Sequence, residues 1–176
     1  IACRRAGVPL GPVAGASAPA IAIGQAIGSW STWFSQQLYG RPSGLPWALE
    51  ISPGNRLPGY ESFATFQPAF LYGCVWELLV AALVIWVARR SGLRGDRAFA
   101  LYLAAYSAGM FAVQVIRIDY SHDILGLRLN EWFAVAAFAA AIWYLYRTRN
   151  TSPADRLRTL PPVKDVSLPP GTPSAL

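Results

Sequence analysis

The chain has 176 residues, of which 54% are hydrophobic and only 14% charged, and its formal net charge is +6. A soluble domain carries about 25% charged residues. Here the charges sit in short intervals between long apolar runs, which excludes an ordinary soluble globule and points to a polytopic membrane protein. The basic balance does not mark a nucleic-acid binder, because the basic residues share neither one amphipathic face nor a soluble module.

The chain opens on Ile1, with no cleavable signal pattern before the first apolar run. It is expected to be the C-terminal piece of a longer membrane protein. Residues 7–40 contain no charge, and a first span is predicted at about residues 13–33. Gly11, Pro12, Gly15, Pro19, Gly24 and Gly28 disfavour a regular helix there. Such residues survive in a bilayer only where neighbouring protein satisfies the backbone, so this span is predicted to be interior. Its end is crowded with Ser29, Ser31, Thr32, Ser35, Gln36 and Gln37, neutral hydrogen-bonding side chains where a membrane segment reaches the interface.

A polar loop over residues 42–65 leads to a second span at about 66–88, in which Glu77 is the sole charge. A charge at that depth is either a helix–helix hydrogen bond or a functional group. A third span follows at about 98–116 and a fourth at about 131–146, the latter reaching the roughly 20 residues a crossing needs by using its flanks. The fold class is therefore all-α, a polytopic transmembrane bundle over residues 1–146. Residues 147–176 become rich in Pro and poor in aromatics, which predicts a disordered cytoplasmic tail.

The basic residues orient the spans. With Arg4 and Arg5 cytoplasmic, four crossings place eleven of the fifteen on that side, among them Arg89, Arg90, Arg97, Arg147 and Arg149. Only Arg41, Arg56, Arg117 and Arg128 remain outside, as the positive-inside bias requires. Cys3 and Cys74 show no metal spacing and are expected neither to pair nor to bind metal. His122 lies in the outer loop, where it is either simply exposed or a base. The broken first span alone would also fit a transporter, but paired interrupted helices are absent.

The stretch "IGQAIGSWSTWFSQQLYGRPSGLPWALEI" resembles the signature region of the prolipoprotein diacylglyceryl transferases, G-R-x-G-N-[FY]-x-N-x-E-[LF]-[YW]-G-R. "QPAFLYG" resembles that family's [HQ]-P-[ST]-x-L-Y-E, and "GMFAVQVIRID" its G-R-F-x-[IV]-E-x-[LF]-R-x-D. "LGLRLNEW" stands where the family approaches its last helix, so the resemblance covers about residues 1–146. It implies a bacterial inner-membrane protein of seven spans, of which this chain holds the last four, with a cytoplasmic C-terminus. It also implies transfer of diacylglyceryl from phosphatidylglycerol to the lipobox cysteine in the signal-peptide region of a prolipoprotein, with no cofactor and no metal. Expected partners are those two substrates and the membrane lipids, not nucleic acid.

That chemistry needs fixed positive charge on the phosphate leaving group, which arginine supplies bidentately, and it needs the thiol as thiolate. At those positions the chain departs from the pattern. Ser29 stands in place of the signature arginine, Thr32 and Ser35 in place of asparagines, and Gln37 in place of a glutamate. Gly73 replaces a glutamate, Met110 the second arginine and Gln114 another glutamate. Tyr39, Gly40, Arg41, Gln67, Tyr72 and Arg117 keep the pattern and are the expected lipid-binding positions. No confident catalytic residue remains. Arginines and acids read as lost in pairs, Ser29 with Gln37 and Met110 with Gln114, since removing one partner of a buried pair costs about 3–5 kcal/mol. The alternative to an active transferase is thus an inactive paralogue that binds phospholipid or prolipoprotein.

Overall fold

The computed structural model describes residues 10–93, 95–119, 123, 124 and 127–149. Of the tail expected to be disordered, 147–176, Arg147 and Thr148 instead end the last helix; residues 150–176, Cys3 and His122 lie outside the described residues. Three long helices carry apolar runs: α1 (Leu10–Ser29), followed after a turn at Trp30 by the short α2 (Ser31–Ser35), then α3 (Ala69–Ser91) and α4 (Asp96–Ile116). The segments Leu10–Ser35, Ala69–Ser91 and Asp96–Ile116 are long and apolar enough to cross a bilayer. The last helix, α5 (Leu129–Thr148), has 20 residues. At 1.5 Å per residue it reaches roughly 30 Å, but Asn130, Glu131 and Arg147 near its ends make it less apolar than the others.

The bundle is an inverted soluble core. Its buried residues are mostly small, with Ala18, Ala22, Ala26, Ala81, Ala98 and Ala104 all nearly inaccessible. Ile21, Ile27, Leu79, Trp86, Phe133 and Trp143 point outward. Small residues inside and large apolar ones outside are what helix association in lipid selects, because close backbone approach replaces hydrophobic exclusion as the driving force. This also explains why α1 is continuous through Pro19 although its composition disfavours helix. Ala18, Ala22 and Ala26 recur every fourth residue on one face, which packs against α3 and α4. Tertiary contact overrides propensity here.

Two glycines set the α3–α4 turn. Gly92 closes α3 in the left-handed region (φ 64°), and Gly95 precedes α4 with φ 65° and ψ −140°, a conformation open essentially to glycine alone. α1 passes so close that a Cβ on Gly15 would stand 2.3 Å from the Gly95 carbonyl oxygen. At the same end Tyr144 of α5 hydrogen-bonds the Asp96 carboxylate of α4. Halfway along, the Trp76 indole lies on Gly109 and donates to the Ala105 carbonyl at 2.9 Å, locking α3 to α4.

At the opposite end, residues 30–68 form a polar cap. Strand β1 (Leu49–Glu50) pairs antiparallel with β2 (Thr65–Phe66), and β3 (Asp123–Ile124) with β4 (Leu127–Arg128). Ile51 and Phe66 are fully buried beneath the cap, with Tyr39 beside them. At its tip, backbone N–H groups of Glu61 itself and of Gly59 hold the Glu61 carboxyl below the usual carboxylate range.

Candidate functional site

The three segments that carry the resemblance converge on Gly40. Its backbone bridges antiparallel to Arg117, and its N–H donates to the Gln67 carbonyl at 2.9 Å. Arg41 N–H donates to the Ile116 carbonyl at 3.2 Å, and Gln67 N–H to the Arg41 carbonyl at 3.0 Å. A Cβ at Gly40 would approach both Gln67 Cβ and Ile116 Cγ2 to 2.9 Å, so only glycine lets the three strands of chain meet. Gly40 and Gln67 therefore contribute through their backbones.

Ser29, at the end of α1, sits against α3. Its hydroxyl donates to Glu77 Oε2 at 2.9 Å, and Glu77 is only 5% exposed. A Cβ on Gly73 would lie 3.7 Å from the same hydroxyl oxygen, with no other neighbour within 4 Å. Side chains at 29 and 73 thus face one another across a gap. In the resembled pattern those two positions carry arginine and glutamate. The structure couples position 29 to 73 and 77, whereas Gln37 is exposed. Of the positions that depart from the resembled pattern, 29 and 73 are thus neighbours in space, and Glu77 gives Ser29 its acceptor one turn deeper.

The polar run beyond Ser29 is used locally. Thr32 Oγ1 donates to the Ser29 carbonyl at 2.7 Å, and Ser35 Oγ to the Thr32 carbonyl at 3.4 Å. Gln36 and Leu38 both have positive φ, 49° and 57°, a conformation that costs non-glycine residues of order 1–3 kcal/mol each. Gln36 offsets part of this cost, since its Oε1 accepts from Ser52 N at 3.1 Å and Asn55 Nδ2 at 2.8 Å. Tyr39 is buried. Its hydroxyl donates to the Asn55 carbonyl at 3.0 Å and accepts from Leu57 N at 2.7 Å, so it serves the core of the cap. Tyr72 reaches the surface, accepting from Trp47 Nε1 at 3.1 Å.

Basic groups gather at the end of α4. Arg41 is exposed and donates to the Val115 carbonyl at 3.4 Å. Arg117 Nε pairs with Asp119 Oδ1 at 2.8 Å, and Arg128 Nη1 reaches the same oxygen at 3.5 Å. Arg128 Nη2 also donates to the Arg117 carbonyl at 2.9 Å, while Glu131 caps the Arg128 N–H. Arg117 and Arg128 thus share one aspartate, and Arg41 is hydrogen-bonded to the same end of α4. Arg128 was not singled out from the sequence, because only the fold of the β3–β4 hairpin brings it beside Arg117. Met110 and Gln114 lie one turn apart on α4, Gln114 buried. Among the described residues no group of three or more His, Cys, Asp or Glu is placed to hold a metal ion.

Two grooves open beside α3. One, of about 450 Å³, is lined by Trp33, Gln36, Trp47, Glu50 and Phe70 among others. The second, about 500 Å³, shares Trp47 and Leu71 with it and continues along α3 past Val75, Trp76 and Leu79. Sequence spacing did contain a signal for part of this site. Phe70, Gly73 and Glu77 fall at i, i+3 and i+7, one face of a helix.

Comparison with known proteins matches residues 1–147 to the family model described as prolipoprotein diacylglyceryl transferase. The phosphatidylglycerol–prolipoprotein diacylglyceryl transferase of Streptomyces griseus is 54% identical over 146 residues, covering 82% of this chain and 43% of the relative. Transferase 2 of Streptomyces coelicolor is 50% identical over 142 residues, covering 81% and 45% respectively. The Cutibacterium acnes transferase is 46% identical over 140 residues, covering 80% and 47%. The chain thus spans a little less than half the length of these relatives.

Proposed function

The chain belongs to the prolipoprotein diacylglyceryl transferase family, and from that premise we propose that the full-length protein acts in bacterial lipoprotein biosynthesis. Its substrates are phosphatidylglycerol and the signal-peptide region of a prolipoprotein, and its reaction is diacylglyceryl transfer to the lipobox cysteine. Transfer runs far more slowly than in the relatives. The observation that carries this is the Ser29–Glu77 contact beside Gly73. Where the reaction needs a fixed cation to draw off the phosphate, this site offers a hydroxyl bound to a carboxylate. The limiting case, a protein that binds phospholipid or prolipoprotein with no turnover, is favoured by the same contact.

Phosphate binding falls to Arg41 and Arg117, with Arg128 behind them. Tyr72 holds lipid oxygens, and Tyr39, Gly40 and Gln67 hold the cleft's frame. If this is so, Arg41→Glu or Arg117→Glu in the purified full-length protein should lower the bound ratio of phosphatidylglycerol to phosphatidylethanolamine. A single charged contact of about 1.5–3 kcal/mol corresponds to roughly a ten- to hundredfold change. Native mass spectrometry reads the ratio directly, and an unchanged ratio in both variants would reduce these arginines to interfacial anchors.

The membrane arrangement proposed here has four crossings, the last four of seven, in the bacterial plasma membrane with the C-terminus cytoplasmic. The basic ends of α3, α4 and α5 then share the inner face. Ser91 is exposed at that end. Ser91→Cys, in a background lacking Cys3 and Cys74, should resist an impermeant thiol reagent in intact cells and react once the membrane is opened. Efficient labelling from outside would reverse the orientation.

A further inference from the structure

We propose that the two grooves beside α3 form a second lipid subsite, which takes the ammonium headgroup of a zwitterionic phospholipid, phosphatidylethanolamine, from the outer leaflet. This lipid is not the transfer donor, and the subsite shares only Tyr72 with the residues proposed to hold that donor.

The upper groove has the chemistry of an ammonium site and lacks that of a phosphate site. Trp33 and Phe70 meet edge to face with ring centroids 5.4 Å apart, and Trp47 forms another wall. Trp33 and Trp47 are 43% and 55% exposed, so indole faces remain open to a ligand. Aromatic faces attract cations through the ring quadrupole, indole most strongly. Glu50 supplies the one formal charge in the lining, and it is negative; neither Arg nor Lys lines the groove. Trp47 Nε1 is already given to Tyr72, which leaves the Gln36 amide as a neutral side-chain donor in the lining. Arg41, Arg117 and Arg128 gather instead at the end of α4, and none of the three lines either groove.

The lower groove supplies what a free amine would not need. Leu71, Val75 and Leu79 recur every fourth residue and form one stripe along α3. Apart from Tyr72 the walls are apolar or, at Trp47 and Trp76, indole. Both indole N–H groups are committed, that of Trp47 to Tyr72 and that of Trp76 to Ala105. Because α3 is long and apolar enough to cross the bilayer, the stripe runs at acyl-chain depth directly below the aromatic walls. A head-and-tail ligand whose headgroup ends in an ammonium fits this order of surfaces. A soluble amine would leave the lower groove empty, and an anionic lipid would set its charge against Glu50.

The test uses full-length protein in detergent, exchanged with an equimolar mixture of phosphatidylethanolamine and phosphatidylglycerol of identical acyl chains, with bound lipid counted by native mass spectrometry. Glu50→Gln and Trp33→Leu should each lower the ethanolamine-to-glycerol lipid ratio by about three- to tenfold, the range of one cation–aromatic contact. Val75→Trp, which fills the lower groove, should lower bound phosphatidylethanolamine and spare the phosphatidylglycerol held at the arginine cluster. The arginine reversals described above push the ratio the opposite way, so failure of one proposal is distinguishable from failure of the other. Glu50 and Trp33 are exposed, and equal melting temperatures for the variants certify that they are folded. An unchanged ratio in both Glu50→Gln and Trp33→Leu would overturn the proposal, as would undiminished phosphatidylethanolamine binding in Val75→Trp.

Discussion

Cells depleted of their own diacylglyceryl transferase should fail to grow on the full-length protein at ordinary expression, with no lipid-modified prolipoprotein visible by gel shift. Removing one preorganised charge-stabilising donor costs about 2.7–4 kcal/mol of barrier, or roughly 10²–10³ in rate. Two such donors are absent here, at Ser29 and Met110, so a loss of several orders of magnitude is expected. The geometry also says what should recover activity. Ser29→Arg alone would bring a guanidinium to the buried Glu77 and find an acceptor, because Ser29 already bonds that carboxylate at 2.9 Å. The new cation would then be held deep, one turn below Gly73. Adding Gly73→Glu supplies the acceptor nearer the outer end, and Met110→Arg with Gln114→Glu rebuilds the pair on α4. Gel-shifted prolipoprotein should appear with all four changes before it appears with Ser29→Arg alone. Rescue of growth by the unaltered protein would sink the proposed slow transfer.

Gly15→Ala should destabilise the bundle more than any other single glycine-to-alanine change in the spans. Its new methyl would stand 2.3 Å from the Gly95 carbonyl oxygen and 2.7 Å from Gly95 N. Those are backbone atoms of the α3–α4 turn and cannot rotate aside, so α1 must pivot away from α4. Overpacking of this kind costs typically about 1–3 kcal/mol. Gly109→Ala is the graded comparison: its methyl would lie 1.8 Å from Trp76 Nε1, but an indole can swing out, surrendering its hydrogen bond to Ala105. Gly24, with nothing within 4 Å, is the control. There alanine should be neutral or stabilising by up to roughly 1 kcal/mol, the helix-propensity difference. Thermal unfolding in detergent should rank the midpoints Gly24→Ala highest, then Gly109→Ala, then Gly15→Ala. Equal midpoints for Gly15→Ala and Gly24→Ala would show that α1 does not rest on the turn.

The sequence by itself determined the helical segments, the family and the identity of the altered positions. Each of these depends on residue type at a place in the chain. Hydropathy over twenty residues places α3 and α4 without knowledge of any contact. Three ordered motifs identify the family even where their charged members are replaced. Hydropathy also placed a span over α1 although its Gly and Pro content disfavours helix, and there close packing of Ala18, Ala22 and Ala26 against α3 and α4 outweighs propensity. Partners across space were decided only by the tertiary structure. Ser29 and Glu77 are 48 residues apart and meet because α1 and α3 cross at that depth. Arg128 reaches Asp119 because a two-residue pairing folds the chain back over α4. Tyr39, matched by motif as a lipid contact, turned inward to Asn55 and Leu57 because the cap needed a core. Hydrogen bonds and ion pairs act over about 3 Å, and at that scale the crossing of two helices matters more than any spacing along the chain.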